Sequence, residues 1–228
     1  DSYLKAQGIN PDEVKSVKYW QTAGGDPRFS VVTKNDTNTL PDIKEVIEVF
    51  QKEIKKQVLK EVQPDYNKRL VVFLADKHIG ALTKPDSLYS NEYDAIEFGD
   101  RMQKVLNEIN RVYVEQGTLK NVTVIDLGDA LDGYNQQTTR GGHTLPQNMT
   151  NKEAFEVYVD THKAFYHTLL NSGIAYDYNI YHLTNSNHGG EFDHFAARCL
   201  QEYINASYYG MQVSFEILDK FINRLKEK

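Results

Sequence analysis

The 228-residue chain has one cysteine, Cys199, which excludes an intrachain disulfide and points to a reducing, cytoplasmic compartment. No apolar run approaches the length of a bilayer span, and Asp1 to Lys5 lack the pattern of a signal peptide, so no membrane is expected as a partner. Positive charge is not in excess. The 26 Lys and Arg stand against 32 Asp and Glu, a net charge of −6, so long-range electrostatics do not advertise a nucleic-acid binder. An acidic chain still binds phosphate where bound cations reverse the local field. Internal repeats and low-complexity tracts are also missing, which leaves an ordinary globular composition.

What is there begins with a short segment unlike the rest. Residues 14–19 and 29–33 are β-prone, and Ala23-Gly24-Gly25-Asp26-Pro27 between them is a turn cluster. They predict a small β-hairpin appendage over 1–40, structural or for docking a substrate or partner, followed by the main domain over 41–228. Pro41-Asp42 opens a predicted helix with Ile43, Val46, Ile47, Phe50, Ile54 and Val58 on one stripe.

From residue 70 the pattern alternates. Residues 70–75 form a short β-branched apolar run, predicted as a buried strand. A helix follows, with Ile96, Met102, Val105, Leu106, Ile109 and Tyr113 as its predicted buried stripe. Residues 122–127 give a second strand, 152–170 a helix, 178–183 a third strand, and 191–204 a helix with Phe195, Cys199, Leu200 and Tyr203 inward. A last amphipathic helix is predicted over 217–225. Residues 133–151 are a long polar loop, a length that is often functional. Strand, helix, strand, helix, strand, helix is the order of an α/β fold with a largely parallel sheet. Ligands of such sheets bind at the carboxyl ends of the strands.

Three polar clusters sit at those ends: Asp76 with His78, Asp129 with Asp132, and Asn187 with His188. Carboxylate, imidazole and amide oxygen are suitable ligands for divalent first-row metals. Taken singly, each has a bland reading. Asp76 and Asp129 could cap helices or turns, Asn187 could adopt a left-handed turn, and His188 could be a surface histidine. Their joint occurrence favours a metal site. His162 and His167 fall on a helix stripe, His182 on a buried strand and Cys199 in the core, all read as structural. His194 either faces the site or caps locally.

Here the chain resembles a known family, the calcineurin-like metallophosphoesterases, over about residues 70–203. Asp76-Lys77-His78 is similar to its Asp-x-His element, Gly128-Asp129-Ala130-Leu131-Asp132 to its Gly-Asp-x-x-Asp element, and Asn187-His188 to the centre of its Gly-Asn-His-Asp/Glu element. The text around Asp132-Gly133-Tyr134-Asn135 and Thr139-Arg140-Gly141-Gly142-His143 is most similar to members encoded by bacteriophages and prophages. The resemblance implies an α/β/β/α sandwich and two divalent ions, from among Mn, Fe, Zn, Ni or Mg. Asp76 and His78 would hold the first, Asp129 would bridge both, and Asn187 would hold the second. His188 would sit near the phosphate and protonate the leaving oxygen or stabilise the transition state, and Asp132 would orient ligands from behind. The implied reaction is phosphoester hydrolysis by metal-activated water. A phosphodiester in DNA or RNA is the expected substrate, and a non-catalytic scaffold binding nucleic acid or a protein is the alternative. Arg140 and His143 are either phosphate contacts or solvated loop residues.

The chain also departs from the family pattern. Ser186 stands where a Gly precedes the Asn, and Gly189 stands where an acid follows the His, so Glu191 or Asp193 is the expected substitute. The family's later metal histidines have no counterpart, since no histidine follows His194. The expectation is therefore a domain truncated at its C-terminal side. It would hold at most one ion well, at Asp76, His78 and Asp129, hydrolyse weakly, and self-associate through the apolar face left uncovered.

Overall fold

The computed structural model describes residues 14–21, 27–33, 57, 59, 62–63, 67–86 and 92–218. It divides the chain into two compact units, Asp1–Pro41 and Asp42–Lys228. In the first, β1 (Val14–Gln21) pairs antiparallel with β2 (Pro27–Thr33) in a two-stranded sheet, with Val17 opposite Val31 and Trp20 opposite Arg28. The helix expected from residue 41 to about 58 lies outside the described residues, apart from Gln57.

The second unit is α/β. Its described elements are β3 (Arg69–Leu74), α1 (Ala95–Gln116), β4 (Leu119–Asp126), α2 (Asn151–Asn171), β5 (Ala175–Leu183), α3 (Glu191–Ser207) and β6 (Val213–Leu218). The four strands form one sheet in sequential order, β3-β4-β5-β6, and every neighbouring pair is parallel. Sequential parallel strands joined by crossovers of one hand carry all their helices on one face. The core agrees. Leu70, Val72 and Leu74 of β3, Val122 and Val124 of β4, Tyr178 and Ile180 of β5 and Phe215 of β6 share one cluster with Met102, Phe165 and Leu200 of the three helices. On the opposite face Val71 and Phe73 of β3 stay exposed, Phe73 by 63%.

Local signals set the helix ends. Asp94 caps α1 by accepting from the N–H groups of Ile96 and Glu97 at 2.8 and 2.9 Å. Gly117 stops the helix with φ 75°, and its N–H returns to the Tyr113 carbonyl. Thr150 and Glu153 form a capping box at the start of α2.

Two expectations are corrected. Ile96 is 75% exposed; Phe98, at 2%, takes the buried position with Met102 and Ile109. The cap at Asp94 fixes the helix phase and turns Ile96, in its first turn, toward solvent. Ile217 and Leu218, expected to open a helix, end β6, where Ile217 aligns with His182 and Leu218 with Leu183. The remainder of that expected helix lies outside the described residues. Among the described residues, the other expected elements are present with shifted ends, β4 and β5 each starting three residues earlier than read.

Candidate metal centre

The loops after β3, β4 and β5 converge at the carboxyl edge of the sheet. The first two run side by side. Leu127 N–H donates to the Leu74 carbonyl (2.8 Å), His78 N–H to Asp129 O (2.9 Å), Ile79 N–H to Ala130 O (2.9 Å) and Asp132 N–H back to Ile79 O (3.0 Å). Six non-glycine residues among those described have positive φ, and three of them are Asp76 (48°), His78 (42°) and Asp129 (46°). Left-handed backbone at non-glycine residues carries strain that a surrounding structure must hold, and it concentrates at functional sites.

Those three residues also bring their side chains together. One ligand atom each from Asp76, His78 and Asp129 lies within 4.8 Å of the others. A second group, His78, Asp132 and His188, meets the same test. Asp132 is its centre: Oδ1 lies 2.9 Å from His78 Nδ1 and 3.3 Å from His188 Nδ1. The two imidazoles meet edge to face with centroids 4.3 Å apart. A carboxylate oxygen between two Nδ1 atoms selects the tautomer with the proton on Nδ1 and leaves each Nε2 lone pair outward. The His78 pKa is raised, chiefly by its hydrogen bond to Asp132 and further by the charges of Asp132, Asp129 and Asp76, while burial opposes. His188 is tied to Asp129 as well, its backbone N–H donating to Asp129 Oδ1 at 3.3 Å.

The acid expected to replace the residue at 189 is not found where sequence suggested. Glu191 is exposed. Asp193 is 2% exposed and turned elsewhere: Oδ2 accepts from the Ser186 hydroxyl (2.5 Å) and Oδ1 from Leu131 N–H (3.0 Å). Its carboxylate stands where a side chain at 189 would begin, since a Cβ on Gly189 would lie 2.1 Å from Asp193 Oδ1. Asp132 is the carboxylate that faces the His188 ring, and Asp193 instead joins the second loop to the third.

The long loop reaches the centre at its middle. Thr139 N–H donates to the His188 carbonyl (3.0 Å) and Arg140 N–H to the Asn187 carbonyl (3.1 Å). The Arg140 guanidinium donates to the Asn185 carbonyl at 3.0 Å, which sets it beside the third motif. His143 is exposed, and its ring folds over Gly141. Asn187 is exposed and its side-chain amide makes no hydrogen bond among the described residues. His194 Nδ1 lies 3.2 Å from Thr184 Oγ1.

Carboxylates and imidazoles in two overlapping groups fit a divalent first-row ion by donor type. No described helix is long and apolar enough to cross a membrane. The chain matches no family model, no curated protein and no solved structure. Two residues went unread in the sequence, Lys77 and Asp126, and so did the pairing of Asp193 with Ser186 and Leu131. One signal was available, because Asp126 sits in the apolar run of β4 and a buried charge demands a partner.

Proposed function

We propose that the chain is a divalent-metal phosphoesterase of the calcineurin-like kind, acting on a phosphodiester, with nucleic acid as the substrate class. One observation carries the reading: the three residues able to share an ion, Asp76, His78 and Asp129, each hold a left-handed backbone at the end of a parallel strand. A generic capping role explains neither the shared strain nor the convergence. A bound divalent ion would supply Lewis-acid polarisation of phosphoryl oxygens and lower the pKa of water.

The protein's own residues divide the remaining work. Asp132 holds the His78 ring so that Nε2 faces outward to a ligand position. The same oxygen holds the His188 ring through Nδ1, so that a proton taken up at its outward Nε2, forming the imidazolium, can pass to the leaving oxygen. Arg140, fixed by backbone to the third motif, brings a guanidinium to the same edge, where it suits a non-bridging phosphate oxygen. Asp76, His78 and Asp129 make one good ion position, whereas Asn187 and Asp129 alone make a poor second one. That asymmetry favours a rival reading, a scaffold that binds phosphoesters without turnover.

Hydrolysis of bis-p-nitrophenyl phosphate with Mn²⁺ separates the two. Weak turnover is expected, and His188→Ala should lower kcat by ~10²–10⁴-fold while leaving metal content unchanged. Metal-loaded protein without turnover would leave the scaffold reading standing. Turnover indifferent to His188→Ala would remove that residue's role.

A further inference from the structure

Lys77 stands between Asp76 and His78, yet its side chain goes the opposite way. Asp76 is exposed and His78 half-buried, whereas Lys77 is 6% exposed. Its ammonium forms an ion pair with Asp126 Oδ2 inside the protein, and Asp126 is 1% exposed. The other oxygen, Asp126 Oδ1, accepts from Gly128 N–H at 3.2 Å, the residue before Asp129. The Lys77 carbonyl accepts from the Tyr93 hydroxyl. A single ion pair thus grips the loop that presents Asp76 and His78 and, one hydrogen bond further, the loop that presents Asp129.

The surroundings of the pair are polar on several sides. His182 Nδ1 of β5 lies 3.4 Å from Asp126 Oδ2, and His162 Nε2 of α2 lies 3.9 Å from it. Both imidazoles are held neutral, chiefly by burial and then by the Lys77 charge. The His182 ring is fixed between the Tyr158 and Tyr166 hydroxyls at 3.0 and 2.6 Å. Asp193 of α3 also feels the ammonium. The lysine is therefore met from β4, β5, α2 and α3 together.

An ion pair this deep is a weak source of stability, because desolvating two charges offsets most of their attraction. An apolar pair of the same volume would fill the core as well. What the pair supplies is a fixed point beneath a strained bend, where Asp76 and His78 would otherwise relax from left-handed backbone.

We propose that Lys77 and Asp126 are positioning residues of the metal centre, setting the spacing between the loop of Asp76 and His78 and the loop of Asp129. The proposal rests on the metal-centre reading above, and its test has one arm that needs no metal. Lys77→Met/Asp126→Asn removes both charges and keeps an acceptor for Gly128. The double variant should fold with a metal-free thermal midpoint close to that of the parent. Its Mn²⁺ affinity should fall ~10–100-fold, as expected when groups behind a ligand are lost. In metal-free protein, amide exchange at His78, Ile79 and Asp132, whose N–H groups join the two loops, should quicken while β4 and α2 stay protected.

Unchanged exchange at those three amides together with unchanged Mn²⁺ affinity would overturn the proposal. Should the parent bind no Mn²⁺, the functional reading fails, and the exchange rates alone decide whether the pair sets the loops. If the double variant does not fold, Asp126→Asn alone is measured in the same way, since an unpaired buried lysine can shed its proton.

Discussion

Asp193 is a carboxylate kept almost out of water, and that has a measurable consequence. Burial pushes its pKa up to about 6, against the pull of Ser186, Leu131 and the Lys77 charge. The unfolded carboxyl titrates near 3.8. Between these values the folded chain holds a proton that the unfolded chain has released. Asp193 thus adds stability as pH falls through about 6, complete below the unfolded value, and its ionised form costs stability at neutral pH. Asp193→Asn removes this titration and keeps an acceptor for Leu131. Going from pH 7 to pH 5 should move the stability difference toward the wild type, by an amount on the order of 1–2 kcal/mol. Denaturant unfolding at the two pH values checks this, and a pH-independent difference would contradict it. The same residue marks a limit of sequence reading. Asp193 was legible as an acid near His188, but its partners, Ser186 and Leu131, come from loops that only the folded sheet brings together.

At the scale of elements, hydrophobic periodicity located most of the structure and failed where phase or length left it ambiguous. In α1 a stripe through Ile96 and one through Phe98 both fit the 3.6-residue period; the Asp94 cap and burial in the helix–sheet core decide for Phe98. Phe98→Ala should therefore cost ~3–5 kcal/mol, whereas Ile96→Ala should change stability by less than ~0.5 kcal/mol. Equal costs for the two in urea unfolding would show the helix phase to be wrong. The strand β6 was missed for a related reason. Val213, Phe215 and Ile217 alternate with Ser214 and Glu216, the period of a strand, but the apolar Ile217-Leu218 pair also suits the start of a helix, and the pairing with β5 that settles it is nonlocal. The three motifs were readable because each lies within five residues and follows closely on a run read as a strand.

In the α/β unit, the sequential sheet carries its three described helices on one face and leaves Val71 and Phe73 exposed on the other. Exposed apolar side chains on β3, the edge strand of the sheet among the described residues, invite association with a second copy. The protein should self-associate at high concentration, and Phe73→Lys should shift it toward monomer with little loss of stability; light scattering after size exclusion reads this out. A parent that is monomeric at every concentration would contradict the expectation. The central claim concerns the three strand ends, whose motifs were legible in the sequence and whose meeting at one sheet edge was expected from the order of strands and helices. Calorimetric titration of chelator-treated protein with Mn²⁺, in the wild type, Asp129→Ala and His188→Ala, tests it most directly. One saturable ion per chain is expected, lost in Asp129→Ala and retained in His188→Ala. No saturable binding, binding indifferent to Asp129→Ala, or two full ions per chain would contradict it.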